Sequence, residues 1–444
     1  MINIDELRSY SNIKIIGHKH ADFDSMVSGY FLENIFLNLG IKAQFVLQDN
    51  EEDVFFKEKF IGRKRTWRKR DDDDVLFLVD HTAEYDLPVV GCFDHHPEIA
   101  HIEKNYINEP KTSCAKVIYD WAQGIGYTVP NGYEVLTVYA CYMDSLSFKS
   151  TKARPEDLEW CKEMMRKHKM DENEVVNFGY GLTPKTDDFS KYIKTGVKTY
   201  PLGDKVIKSS YIVVDKDEED ENQIVATLSS EITKKTVAWC FIMSNVIAET
   251  TKILLVTQDY YLVQTVDKLL SRGKNIIPAV MTFLSAKNDG TVTKMLIEKQ
   301  LEIATMESCT SGLIASNITD YEGASAILKG SCITYSNETK ILAGVRRGVI
   351  EDYGVYSPET ASEMALTTKM KFMADIGIGI TGSFGNIDPN NPDSVAGVIF
   401  YEINYSQEEN PIKLVYTTSN MSRKNMKQKA VDIVLATLNA MLAK

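Results

Sequence analysis

Six of the seven histidines, His18, His20, His81, His95, His96 and His101, fall in the first quarter of the chain, in company with aspartates at short spacing. Gly17-His18-Lys19-His20-Ala21-Asp22-Phe23-Asp24-Ser25 sets an imidazole ahead of two carboxylates that are two residues apart. Asp80-His81 and Asp94-His95-His96 follow, and Asp144 stands further on. Neutral imidazoles among carboxylates form a donor set for divalent metal ions. Two ions about 3.5 to 4 Å apart need a bridging carboxylate, further carboxylates for each ion, and imidazoles that limit the negative charge. His18, Asp22, Asp24, Asp80, His95 and Asp144 supply that inventory, and the chemistry it serves is metal-assisted hydrolysis. The first stretch also reads as a polar loop with a helix cap at Asp24 or Ser25.

These residues share a position, because each stands where an element ends. Ile13 to Ile16 leads into His18, the wholly apolar Val75 to Val79 into Asp80, and Val89 to Phe93 into Asp94. Uninterrupted apolar runs suit strands buried on both faces. Helical patterns over Met26 to Leu39, Ser113 to Gln123 and Tyr133 to Met143 alternate with them, so the spacing predicts a parallel α/β sheet that gathers its polar residues at one edge. Gln44 to Leu47 adds a strand, and a charged helical stretch covers 151–180. A second α/β unit has strands at Lys205 to Val214, Ala238 to Val246 and Lys252 to Thr257, with helices at Gln223 to Lys235 and Tyr260 to Leu270. Ser271-Arg272-Gly273-Lys274 closes it with two cations, which also suit a helix C-terminus. After a linker at Ala286 to Gly290 comes a third α/β unit. It has strands at Glu302 to Met306, Ile333 to Tyr335, Ile376 to Thr381, Val395 to Asn404 and Lys413 to Thr418, and helices ending at Lys299 and Thr319, over Pro358 to Met373, and from Lys424 onward. The expected domains are 1–180, 181–287 and 291–444.

The ordered set H-x-x-x-D-x-D, D-H, D-H-H and a distal Asp resembles the DHH phosphoesterase superfamily. Within it, Met143-Asp144-Ser145-Leu146-Ser147-Phe148-Lys149-Ser150 and Ser271-Arg272-Gly273-Lys274 are similar to the manganese-dependent family-II inorganic pyrophosphatases and their exopolyphosphatase relatives. The likeness covers about residues 10 to 285. It implies that His18, Asp22, Asp24, Asp80, His95 and Asp144 ligate two divalent ions, Mn2+ by preference with Mg2+ or Co2+ as alternatives. It further implies that His96 contacts the substrate as a proton donor, and that Lys198, Arg272 and Lys274 hold phosphate from a second domain that closes over the first. The chain departs from the pyrophosphatases at His20-Ala21, where they carry Asn-Pro, at Pro97, where they carry Arg, and at Gly273, which separates cations that are adjacent in them. The His-x-x-Ala-Asp form also resembles the cyclic-dinucleotide and short-oligonucleotide phosphodiesterases of the superfamily, although their glycine-rich accessory motif is absent from the sequence.

No histidine follows His168, so a hydrolase in the last third must work without a Ser-His or Cys-His pair. A serine can instead be activated by a lysine held neutral. Ser308, in the turn Glu307-Ser308-Cys309-Thr310-Ser311-Gly312, and Lys340 are the candidates, against the alternative of a helix cap and a surface lysine. Ala304 to Leu313, Thr334-Tyr335-Ser336-Asn337-Glu338-Thr339-Lys340 and Gly379-Ile380-Thr381-Gly382 resemble the CinA C-terminal domain family, the nicotinamide-nucleotide amidohydrolases, over residues 291 to 444. The likeness implies Ser308 as nucleophile and Lys340 as base with Tyr335 assisting, and it places Thr381, Gly382 and Arg423 near the substrate. Ser311 stands where the family usually has Gly, and Ser383 to Asp388 replaces a loop rich in Gly and Pro. A nucleotide sensor without turnover is the competing role for this domain.

The whole composition bounds these readings. The chain has 444 residues, 44% hydrophobic and 25% charged, ample for several cores. A formal charge of -12 argues against a protein that coats nucleic acid, which leaves short oligonucleotides as the only nucleic-acid partner expected. The one basic run, Arg63 to Arg70, leads directly into Asp71 to Asp74 and reads as a self-neutralising connection or an anion contact. Seven scattered cysteines without a C-x-x-C pair point to free thiols and a cytoplasmic location. No apolar run approaches the ~18 residues of a membrane span. Small phosphorylated substrates, nucleotides and further copies of the chain are the expected partners.

Overall fold

The apolar runs form strands where the alternation of their side chains can bury both faces. The computed structural model describes residues 2–48, 59, 73–97, 100–385, 388–389, 391–392, 394–405, 411–417 and 421–443; the basic run Arg63 to Arg70 lies outside them. The chain divides into two compact units, Met1–Thr183 with Leu269–Lys274, and Pro184–Lys268 with Asn275–Lys444.

In the first unit, β1 (Asn12–Ile16), β2 (Ala43–Phe45), β3 (Asp74–Val79), β4 (Val89–Asp94) and β5 (Tyr106–Asn108) make a sheet in the order β2-β1-β3-β4-β5. Every pairing in it is parallel. Ile13, Ile15, Phe77, Val79 and Phe93 point to one buried core, while Ile16, Leu76, Leu78 and Cys92 point to another. This two-sided burial is what the unbroken apolar runs require. The helices are α1 (Ile4–Arg8), α2 (Phe23–Asn38), α3 (Cys114–Gly124), α4 (Asn131–Asp144), α5 (Pro155–His168) and α6 (Glu172–Tyr180). The cap of α2 is Asp22, whose side chain accepts from the N–H of Ser25, rather than Asp24 or Ser25 as the sequence suggested. The carboxyl ends of β1, β3 and β4 lie at one edge, and the helix α4 brings its last residue, Asp144, to the same place.

The second unit contains α7 (Phe189–Ile193), β6 (Lys198–Leu202), β7 (Lys205–Val214), α8 (Glu221–Ser229), β8 (Thr236–Asn245), β9 (Thr250–Thr257), β10 (Tyr260–Val266) and α9 (Ile277–Ser285). It continues with α10 (Thr291–Glu298), β11 (Ile303–Glu307), α11 (Leu313–Thr319), β12 (Leu328–Ile333), α12 (Asn337–Ala343), α13 (Arg347–Tyr353) and α14 (Pro358–Phe372), then β13 (Ile376–Ser383), β14 (Val398–Asn404), β15 (Ile412–Tyr416) and α15 (Arg423–Leu442). One mixed ten-stranded sheet runs through all of it, in the order β12-β11-β13-β14-β15-β10-β9-β8-β7-β6. The segments expected as 181–287 and 291–444 therefore share a sheet, joined where β10 pairs antiparallel with β15 from Tyr260↔Tyr416 to Gln264↔Ile412. Leu414 is fully buried at that seam, and Glu221 accepts there from the Tyr261 hydroxyl at 3.1 Å and from Lys413 Nζ at 2.8 Å.

Two sequence expectations change here. Tyr260 to Leu270 was expected as a helix, but its Tyr-Tyr-Leu-Val-Gln-Thr-Val run is the strand β10, because β9 and β15 offer it two hydrogen-bonding edges. The strand expected at Ile333 to Tyr335 lies earlier, at Leu328–Ile333. Helices α12 and α13 went unforeseen.

Candidate functional sites

At the carboxyl edge of the first sheet, β3 leads into Asp80, whose φ of 65° is a left-handed conformation costly for a residue with a side chain. That turn splits the carboxylate between two histidines: Oδ2 lies 3.5 Å from His18 Nε2 and Oδ1 lies 3.3 Å from His95 Nε2. His18 Nε2 is also 3.2 Å from Asp22 Oδ2, and His95 Nε2 is 3.7 Å from Asp24 Oδ2 and 3.4 Å from Asp144 Oδ2. The donor atoms form three groups that could each hold an ion: His18, Asp22 and Asp80; Asp24, His95 and Asp144; and Asp80, His95 and His96. All six expected ligands meet at one place.

Each imidazole is turned by its other nitrogen. His18 Nδ1 donates to the Lys19 carbonyl and His95 Nδ1 to the Lys111 carbonyl, both at 3.0 Å, which leaves Nε2 with a lone pair facing the carboxylates. Asp24 is anchored by the N-terminus of α3, accepting from Cys114 N at 2.7 Å and Ala115 N at 3.0 Å. Burial and the neighbouring Asp80 charge push the Asp24 carboxyl well above the usual range, and burial with Asp22 does the same to Asp80. Asp144 is the exception. Burial opposes its charge, but the Lys152 ammonium and both histidines outweigh that and hold its pKa below the usual range.

A metal-binding fit can be tested on what these groups leave unsatisfied. His18 Nε2, Asp80 Oδ1, His95 Nε2 and Asp144 Oδ2 are buried without a hydrogen-bond partner among the described residues. Buried polar atoms are rarely left so, and four on expected ligands in one nest fit a donor set built for cations. Two residues that the sequence reading did not place join the site. Asp94 Oδ1 accepts from the N–H groups of His95 and His96 and from His96 Nδ1, at 2.7 to 3.1 Å. Lys152 Nζ donates to Asp144 Oδ1 at 2.5 Å. The Asp94-His95-His96 triplet could have signalled the first; nothing in the sequence ties the second to Asp144.

Arg272 and Lys274 lie in a π-helical turn over Arg272–Ile276, ahead of α9 rather than at a helix end. The turn's first three residues belong to the first unit. Burial and the nearby Lys152 lower the Lys274 pKa, while Asp144 and Asp94 oppose the shift. Lys198 opens β6 in the second unit.

The second constellation sits where β11 passes into α11. Lys340, fully buried on α12, donates from Nζ to Ser308 Oγ at 3.1 Å and to the Thr334 carbonyl at 2.9 Å. Burial lowers its pKa to about 8, against the opposing charges of Cys309 and Asp388. Cys309, the rival nucleophile, is buried and its thiol is pushed up to about 12. Glu307 fixes the turn, accepting from the N–H groups of Ile314 and Ala315 at 3.0 Å and from the Thr305 hydroxyl at 3.1 Å. Tyr335 is exposed, and its hydroxyl accepts from Arg423 Nη2 at 3.0 Å. Arg423 also lies over the Phe384 ring. The Thr381 hydroxyl donates to the Val355 carbonyl at 2.9 Å. Gly382 is in a conformation reserved for glycine (φ 147°), against the backbone of Val398 and Ile399. Thr310 Oγ1 and Thr334 Oγ1 are buried there without a hydrogen-bond partner among the described residues.

Among the described residues no helix is long and apolar enough to cross a membrane. Residues 12–143 match the DHH family, N-terminal domain, and residues 286–442 match the CinA C-terminal domain. A competence-damage inducible protein of Clostridioides difficile is 35% identical over 144 residues, 32% of this chain and 30% of its own length. A CinA-like protein of Leptospira borgpetersenii is 38% identical over 120 residues, 27% of this chain and 28% of its own. The chain thus spans about a third of the length of the curated relatives it matches. Among solved structures, a Methanococcus jannaschii protein named as a family II inorganic pyrophosphatase aligns over 61% of this chain and 98% of its own, at 17% identity and TM-score 0.46. A competence or damage-inducible protein of Enterobacter asburiae aligns over 34% and 97%, at 27% identity and TM-score 0.31. The chain joins, in one polypeptide, a DHH-family N-terminal region to a CinA C-terminal region.

Proposed function

We propose that the chain is a hydrolase with two sites: a metal-dependent phosphohydrolase in the first unit, acting on pyrophosphate or short polyphosphate, and an amidohydrolase in the second, deamidating nicotinamide mononucleotide. The observation that carries the first part is Asp80, whose two oxygens face two different histidines. A carboxylate set this way can serve two ions at once. His18 with Asp22 would complete one set and Asp24, His95 and Asp144 the other, and imidazole with carboxylate suits Mn2+. Ions bound there supply an activated water and screen the phosphoryl oxygens. His96, held at Nδ1 by Asp94 and with Nε2 3.4 Å from Lys152 Nζ, can as the imidazolium hand a proton to a leaving oxygen. Arg272 and Lys274 supply positive charge for the substrate.

For the second part, Lys340 takes the proton of Ser308 as the hydroxyl attacks the amide and returns it to the departing ammonia; water, giving its proton to Lys340, then cleaves the acyl-serine, and the proton returns to Ser308 as the acid leaves. Its burial is what keeps a useful fraction neutral. Arg423, with Tyr335, offers a cation to the nucleotide phosphate.

The test uses the full chain, because β15 needs β10 as its neighbour. Phosphate release from pyrophosphate and tripolyphosphate is measured beside cleavage of short oligonucleotides and cyclic dinucleotides, and ammonia release from nicotinamide mononucleotide is measured separately. Asp80→Ala should silence only the first activity and Ser308→Ala only the second. Dominant nucleotide-diester cleavage, with nucleotide binding but no ammonia release, would replace this reading with a phosphodiesterase that carries a sensor.

A further inference from the structure

The first site holds a cation that neither its motifs nor its expected phosphate-binding residues account for. Lys152 Nζ lies 2.5 Å from Asp144 Oδ1 and 3.4 Å from His96 Nε2. The two oxygens of Asp144 are thereby unlike. Oδ1 is taken by the ammonium, while Oδ2, 3.4 Å from His95 Nε2, is buried and has no hydrogen-bond partner among the described residues. The side chains of Lys152, Asp144 and His96 are 13%, 15% and 26% exposed, whereas those of Asp80 and His95 are 2% and 0%. Lys152, Asp144 and His96 are thus reached by solvent, whereas Asp80 and His95 are not.

We propose that Lys152 is a specificity residue of the phosphohydrolase site, holding Asp144 Oδ1 back from a metal ion and presenting its own ammonium to the phosphoryl group. The proposal rests on the metal-dependent reading of the first unit. A fixed cation beside a dication site repels the metal and attracts the anion, so its removal should move the two affinities in opposite directions. A lysine that merely packs would move both the same way or neither.

The test is calorimetric, on the full chain. Mn2+ alone is titrated into metal-stripped wild type, Lys152→Met and Lys152→Arg, and inorganic phosphate is then titrated into each Mn2+-saturated protein, with a thermal melt of each variant. Lys152→Met should bind Mn2+ about tenfold more tightly and phosphate about ten- to a hundredfold more weakly. Lys152→Arg should recover most of the phosphate affinity. Unchanged affinities, or a parallel loss of both with a lowered melting temperature, would overturn the role of Lys152 while leaving the metal site standing. Failure of the wild type to bind Mn2+ would overturn the metal-dependent reading, and this role with it.

Discussion

The activity of the second site should rise with pH in a way set by the burial of one lysine. Lys340 has a pKa lowered from 10.5 to about 8. A difference of about 2.5 units multiplies the neutral fraction at pH 7 roughly 300-fold: about one molecule in ten carries a neutral Lys340, against one in some three thousand for an unburied lysine. The sign follows directly. Protonated Lys340 cannot accept the Ser308 proton, so ammonia release from nicotinamide mononucleotide should climb about tenfold per pH unit below 8 and level off above it. Lys340→Arg keeps a cation but stays charged across this range, so it should be as inactive as Lys340→Ala, with a loss of order 10³-fold or more. Ser308→Ala should bind the nucleotide without turning it over. Cys309→Ser should stay active, because a thiol pushed up to about 12 is protonated throughout the same range. A profile flat from pH 6 to 9, or loss of turnover in Cys309→Ser with turnover kept in Ser308→Ala, would refute the serine-lysine mechanism.

Two substitutions test what holds that site. Glu307→Ala removes the acceptor of the Ile314 and Ala315 N–H groups and of the Thr305 hydroxyl; it should cost about 2–4 kcal/mol in denaturant melts, with Glu307→Gln milder. Gly379→Ala places a methyl carbon 2.2 Å from the Ala361 carbonyl oxygen on α14. It should lift α14 from β13 and lower stability by about 3 kcal/mol, read from the thermal midpoint.

The sequence displayed the first site more fully than the second unit's architecture, and the reason is locality. His18, Asp80 and His95 each follow an apolar strand within a few residues, so placing the strands in a parallel sheet also places the ligands. Strand Lys205–Val214 was expected with the bounds it has. By contrast, β10 takes one partner, β15, from about 150 residues downstream, and a seven-residue apolar run without that partner reads equally well as helix. The union of two expected domains in one sheet was hidden for the same reason. Helix α12, which carries Lys340, did leave a signal: Ser336 and Thr339 form a capping box at its start. Lys152 left none, because an ion pair across a loop depends on the turn between Asp144 and Ser150 and not on spacing.

Metal-dependent phosphate release is the property expected above all of the first unit. The full chain, stripped with a chelator and assayed with pyrophosphate, should be inactive; Mn2+ should restore phosphate release in the wild type but not in Asp80→Ala, whose loss removes a carboxylate shared by both ligand sets. Full activity in the stripped protein, or restoration of Asp80→Ala to the wild-type rate, would contradict it.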